Sequence, residues 1–287
     1  MHSYSRIYKP FLTSALIIAP VLAIVRIFLM NAFYKTELQN YTTSTSLPFV
    51  YNALLFICCI ALFSVFFLLR PIKSLPRRLP ESSHISFFAS TLCGFIFIST
   101  VFLFGMLNFD TFKNGGFKAV MSSQGMVCFI ALIALMILAI PSAVYFILAD
   151  SPEHRHKNHV KWLAFFPVLW CIASLIYIYF NNTYVINNSE VLSTQLSLIS
   201  LMLYLTSENR LRVHLPRPRL HLALSLVVIV IAGAHSIANI VLTIMLIVPF
   251  DEFTLLNLCQ LALLIYAITH TALMTFKPSK RDEVSKK

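Results

Sequence analysis

The chain has 287 residues, of which 58% are hydrophobic and only 11% charged, with a mean hydropathy of +0.80 and a formal net charge of +11. Soluble domains carry about 25% charged residues, so this composition excludes an ordinary water-soluble fold. The basic surplus is scattered over short segments beside apolar blocks, with no domain to present it, which excludes a nucleic-acid-binding module.

Eight apolar blocks follow one another, at about 11–33, 47–69, 85–108, 125–149, 162–180, 190–207, 221–248 and 254–276. Each is near or above the ~18 residues needed to cross a hydrocarbon core. Lipid offers backbone groups no partner, so each block is expected to be a helix. The expected fold is therefore all-α: one membrane domain over residues 1–287, a bundle of eight transmembrane helices with no soluble domain. The first block follows a short tail with Arg6 and Lys9, runs past a signal-peptide length and lacks a small-x-small cleavage site, so it is expected to be retained.

Orientation follows the basic residues. Arg6 and Lys9, then Arg70, Lys73, Arg77 and Arg78, then Arg155, Lys157 and Lys161, then Arg210, Arg212, Arg217 and Arg219, and the C-terminal lysines and Arg281 all fall on one side. The other side holds Lys35, Lys113 and Lys118. This asymmetry predicts both termini in the cytoplasm of a cell membrane. The same residues, set against anionic head groups, make membrane lipid the first expected partner. The connections "LPRRLP" (75–80) and "LPRPRL" (215–220) hint at a four-plus-four duplication, although Pro and Arg suit any short inner loop.

In chain order, the first candidate site residue is Arg26, set within the apolar run "VLAIVRIFLMN". A charge at that depth either snorkels to the interface, pairs with another helix, or frames a ligand site. Glu190, at the start of the sixth block, is at the same level and is the expected pairing partner. In the fourth connection Glu153, His154, His156 and His159 cluster densely enough to suggest a metal ligand set, weakened by the short basic loop that carries them. In the sixth block Glu190, Ser193, Thr194, Ser197, Ser200 and Tyr204 recur every three or four residues and share one face, suited to close helix contact or to lining a cavity. In the seventh, His235, Ser236, Asn239 and Thr243 also share a face; the eighth adds Asn257, Gln260 and His270. If the first, sixth and seventh helices meet, Arg26, Glu190, Ser197, His235 and Asn239 form the expected pocket.

None of the eleven acidic residues lies within the interior of a block, which argues against ion-coupled transport. No Ser-His or Ser-Lys pair and no H-E-x-x-H stands at a convincing depth, so no enzyme and no cofactor is expected. All six cysteines lie in apolar blocks, as small buried hydrophobes rather than disulfide partners.

The stretch "FFPVLWCIASLIYIYFNNTYVINNSEVLSTQLSLISLMLYLTSENR" (165–210) resembles a hairpin in uncharacterised multi-pass membrane proteins of Clostridia and other Firmicutes. There a Leu-Pro-x-x-Trp-like helix, here Pro167 to Trp170, leads through a short loop into a Ser-, Leu- and Tyr-bearing helix. The resemblance covers about a sixth of the chain, implies a bacterial cytoplasmic membrane and carries no activity. Two functions are then expected: a non-catalytic partner subunit or small sensor module that contacts a membrane protein, or a small-molecule or lipid transporter without ion coupling.

Overall fold

The computed structural model describes residues 3–35, 40–41, 46–72, 75–76, 79, 82–109, 113–114, 116, 125–154, 157–181, 189–213, 215 and 217–276, with backbone alone at 3, 34–35, 40–41 and 189–190. Its helices are α1 (Ser3–Phe33), α2 (Leu47–Phe63), α3 (Val65–Leu68), α4 (His84–Leu107), α5 (Met126–Ala149), α6 (Asn158–Leu163), α7 (Phe166–Asn181), α8 (Ser189–Arg212), α9 (Pro218–Ile244) and α10 (Glu252–Phe276). A two-residue antiparallel ladder, β1 (Tyr34–Lys35) on β2 (Asn40–Tyr41), closes the loop after α1. Among the described residues seven helical segments are long and apolar enough to cross a membrane: Tyr4–Phe33, Leu47–Leu68, His84–Leu107, Met126–Ala149, Asn158–Asn181, Pro218–Ile244 and Glu252–Phe276. The eighth expected crossing, α8, has the length, with 24 residues, but its Ser, Thr, Glu, Asn and Arg content dilutes its hydropathy.

Among the helix boundaries that depart from the apolar blocks, three have a plain local reason. The tail before residue 11 is helical, because Tyr4, Ser5 and Tyr8 dock on the bundle. Tyr4 Oη donates to Met274 O (2.6 Å), Ser5 Oγ to Thr275 O (2.9 Å) and Tyr8 Oη to Leu222 O (2.9 Å). The fifth block is broken at Ala164–Phe165, where Pro167 stands in the first turn of α7, a position that needs no N–H. Helix α9 ends at Ile244 rather than 248. Leu246 takes φ 58°, and the Leu246 and Ile247 N–H groups fold back to Thr243 O and Leu242 O, both at 3.0 Å. That is a Schellman stop with leucine where glycine is usual.

Six helices close a ring. α4 packs on α5, α5 on α7, α7 on α8, α8 on α9, α9 on α10, and α10 returns to α4. α1 and α2 lie outside the ring against α9, and α8 also touches α10, so α8, α9 and α10 are in mutual contact. Phe97 packs on Phe146 and Trp170 with centroids 5.5 and 4.8 Å apart, and Phe146 packs on Tyr145 and Tyr266 at 5.0 Å each. Close approach is carried by small residues, as membrane helix packing requires. A Cβ on Gly94 would stand 2.9 Å from Ala143 O and 2.7 Å from Ile147 Cγ1, between α4 and α5. One on Gly233 would stand 2.9 Å from Ala19 Cβ, between α9 and α1.

Cross-helix bonds sort the helix ends into two faces. Tyr4–Met274, Tyr8–Leu222 and Asn209 Nδ2–Ala164 O (2.6 Å) gather the start of α1, the end of α10, the start of α9 and the end of α8. This is the terminal face. At the far face Glu252, in the first turn of α10, accepts from Asn108 Nδ2 (2.8 Å) and from the Tyr177 hydroxyl, tying α4 and α7 to α10.

Candidate functional site

The far half of the bundle holds a directed hydrogen-bond chain. Arg26 on α1 is 4% exposed and donates from Nη1 to Ser193 Oγ on α8 (2.6 Å). Ser193 Oγ lies 3.2 Å from His235 Nδ1 on α9, and His235 Nε2 lies 3.0 Å from Asn257 Oδ1 on α10. A guanidinium can only donate. Asn257 Oδ1 can only accept, so His235 carries its ring proton on Nε2 and its Nδ1 accepts from the Ser193 hydroxyl, which in turn accepts from Arg26. Four helices are thus joined by three bonds. The Asn239 amide sits 3.3 Å from the same Nε2.

Of the expected pocket residues, Arg26, His235 and Asn239 come together. Arg26 is buried against α8. Its described contact on α8 is Ser193; the side chain of Glu190 lies outside the described residues. Ser197, one turn further on, is fully buried, and its hydroxyl makes no hydrogen bond among the described residues. His156 also lies outside the described residues. His154 and His159 face each other with centroids 6.1 Å apart, and among the described residues no three His, Cys, Asp or Glu side chains converge on a metal-sized site. All six cysteines are free.

A second cluster, at the terminal face, was not expected from the sequence. Glu208, wholly buried, accepts at Oε1 from Arg212 Nη2 (2.8 Å) and Nε (3.2 Å), from Tyr266 Oη (2.6 Å) and from Tyr145 Oη (3.2 Å). The Arg212 guanidinium also lies over the Tyr145 ring, 5.2 Å from its centroid. Beside it His270 Nε2 meets Asp150 Oδ2 at 2.8 Å, and Ser207 Oγ meets His221 Nδ1 at 2.8 Å. Two carboxylates of this cluster, Glu208 and Asp150, are both at most 1% exposed. Both stand one residue past an apolar block, where the helix or its packing continues although the hydropathy has fallen. Continuing the sixth block's polar face by four residues, from Tyr204 to Glu208 and then Arg212, finds the pair.

Between the two clusters runs a seam bounded by α8, α9 and α10. On α8, Ser193, Ser197, Ser200, Tyr204 and Glu208 follow one face over 15 residues, about 22 Å at 1.5 Å per residue. Bonds across the seam close both ends: Ser193–His235–Asn257 at the far end, Ser207–His221 and Glu208–Tyr266 at the terminal end. In its middle the bonding lapses. The Ser197 and Tyr204 hydroxyls and both atoms of the Gln260 amide are buried and make no hydrogen bond among the described residues; nor does Trp170 Nε1 on neighbouring α7.

Compared with known proteins, the chain matches no family model, no curated protein and no solved structure.

Proposed function

We propose that this chain is a carrier for a small polar solute, which passes along the seam between α8, α9 and α10. The observation that supports this reading is the run of buried groups without a hydrogen bond among the described residues, Ser197, Tyr204 and Gln260, between two ends tied by cross-helix bonds. An unmade hydrogen bond in an apolar interior costs about 1–3 kcal/mol per group. Three in one seam are best explained by water or a solute that bonds them during passage. In this reading α8 is the eighth crossing, kept polar because it faces the seam rather than lipid. Both termini are cytoplasmic, and the membrane is a bacterial cytoplasmic one.

Purified protein in proteoliposomes, screened by osmotic swelling against small uncharged and zwitterionic solutes, tests the carrier. At least one solute should enter faster than in protein-free vesicles, and Gln260→Leu should abolish that entry while the melting temperature holds. No faster entry for any solute contradicts it.

The second reading is a non-catalytic partner subunit. It is favoured by α2, which packs on α1 and α9 yet leaves Phe49, Phe56, Ile57 and Ile60 exposed along its length. Gentle extraction from the native membrane with mass spectrometry separates the two: a stoichiometric partner supports the subunit, and a lone folded protein sinks it.

A further inference from the structure

Ser193 is the half-buried member of the far hydrogen-bond chain, whereas Arg26, His235 and Asn257 are buried behind it. Its neighbours on α8, Leu192 and Leu196, are exposed, so the serine stands where the outer side of the helix turns into the bundle. It is also near the helix start, four residues or about 6 Å beyond Ser189. Ser193 and His235 lie 42 residues apart in the chain, so no local motif announces the pair.

Three groups converge on this one hydroxyl in the arrangement that nucleophilic catalysis requires, a base within hydrogen-bond reach and a third group that orients the base. His235 Nδ1, at 3.2 Å, accepts the Ser193 proton. Asn257 Oδ1, 3.0 Å from Nε2, holds the ring in the tautomer that leaves Nδ1 free to accept. Arg26 Nη1, at 2.6 Å, donates to Oγ from the other side. A guanidinium beside the hydroxyl favours negative charge on Oγ and on an oxygen that develops charge next to it. The hydroxyl therefore stands between a cation and a base, and it is also the group that a substrate can reach.

We propose that Ser193, His235 and Arg26 form an ester-cleaving site at the far face, with Asn257 as its positioning residue, and that the substrate is a carboxylic ester of a membrane lipid. Ser193 Oγ bonds to the ester carbonyl carbon, its proton moves to His235 Nδ1, and the carbonyl oxygen becomes an oxyanion beside Arg26. Collapse breaks the bond to the alcohol, which leaves with the proton from Nδ1. Water then adds to the acyl-serine, giving one proton to Nδ1, and Oγ departs with that proton as the acid is released. The balance is ester plus water to acid plus alcohol, with no oxidant or reductant. The lipid assignment follows from depth. As the eighth crossing, α8 is about 36 Å long against a hydrocarbon core of ~30 Å, so its first turn lies among head groups and Ser193 at their inner edge, where ester carbonyls lie. Only this assignment rests on α8 being a crossing; the Ser193 site does not, and neither rests on the solute path.

The test treats the full chain in phospholipid nanodiscs with an alkyl fluorophosphonate and maps the adduct by peptide mass spectrometry. The site predicts an adduct on Ser193, formed with loss of fluoride and absent after heat denaturation. His235→Gln should slow labelling by about 100-fold or more, the effect of losing a general base. Asn257→Leu should lower the labelling rate constant without moving the probe concentration at half-saturation, and Asn257→Asp, which keeps an acceptor, should restore the rate. No adduct on Ser193 in folded protein overturns the site, and so does a His235→Gln variant that labels as fast as the native chain. A long-chain probe should label at least about tenfold faster than a short water-soluble one, because the lipid phase concentrates it beside Ser193. Equal or reversed rates overturn the lipid assignment and leave the ester-cleaving site standing. Solute entry in proteoliposomes, measured separately, decides the carrier whatever Ser193 does.

Discussion

Arg26 is buried and donates to Ser193, and this makes it a residue whose loss is felt at a distance. Ser193 stands between it and His235, so removing the guanidinium frees Ser193 to rotate away from the imidazole. Arg26→Gln and His235→Gln are each expected to cost about 1–3 kcal/mol, the range for stranding a buried polar partner. In a double-mutant cycle the two should couple by more than about 0.5 kcal/mol although they share no direct bond, because residues in one network are not additive. Thermal unfolding in one detergent measures all four corners. Glu208 and Arg212 give the opposite arithmetic. Either single change, E208Q or R212M, leaves a buried charge unpaired and should cost about 3–5 kcal/mol. Glu208→Leu with Arg212→Met removes both charges and should recover most of that loss. If the double variant is no more stable than the singles, the ion pair is not what holds these residues in place.

At the scale of elements, packing turns on where side chains are missing. Gly94 admits α5 to within a Cβ radius, and one obstacle to any substitution there is the backbone oxygen of Ala143, which no rotamer change can move. Gly105, on the same helix, has open space around it. Gly94→Ala is therefore expected to lower the melting temperature, whereas Gly105→Ala should raise or leave it, since alanine favours a helix by about 0.5–1 kcal/mol over glycine. Equal effects would mean that α4 and α5 do not meet as described. Elements were also where the sequence was most legible. The apolar blocks located the membrane-length helices to within a few residues, because hydropathy and helix length report the same constraint. They failed where a helix outlived its apolar run. Tyr4 and Tyr8 extend α1 by docking on α9 and α10, and Glu208 and Arg212 extend α8 by pairing with each other and with Tyr266. Neither extension leaves a hydropathy signal. Which polar residue meets Arg26 was equally illegible, since one-face spacing groups Ser193 with Ser197, and only the rotation of α8 against α1 chooses between them.

For the whole molecule, a polar helix among seven apolar ones has to be explained by what it faces. α8 is surrounded by α7, α9 and α10, and its hydroxyl and carboxylate groups point into the contact it makes with them. The periodicity of that face was visible in the sequence; that it lies against Gln260 and His221 was not, because helix neighbours are a tertiary property. The central claim is that the seam is reached by water. The measurement that tests it most directly is thiol accessibility in proteoliposomes. In a variant with the six native cysteines replaced, single cysteines are placed at Ser197, Gln260 and, as a lipid-facing control, Ile199, and treated with a small charged methanethiosulfonate. A thiol reacts as thiolate, and thiolate forms only where water or a polar site supports it. A solute path predicts that S197C and Q260C react while I199C stays inert. If all three are inert and the folded protein is intact, the seam is dry packing, and the chain is not a carrier along this route.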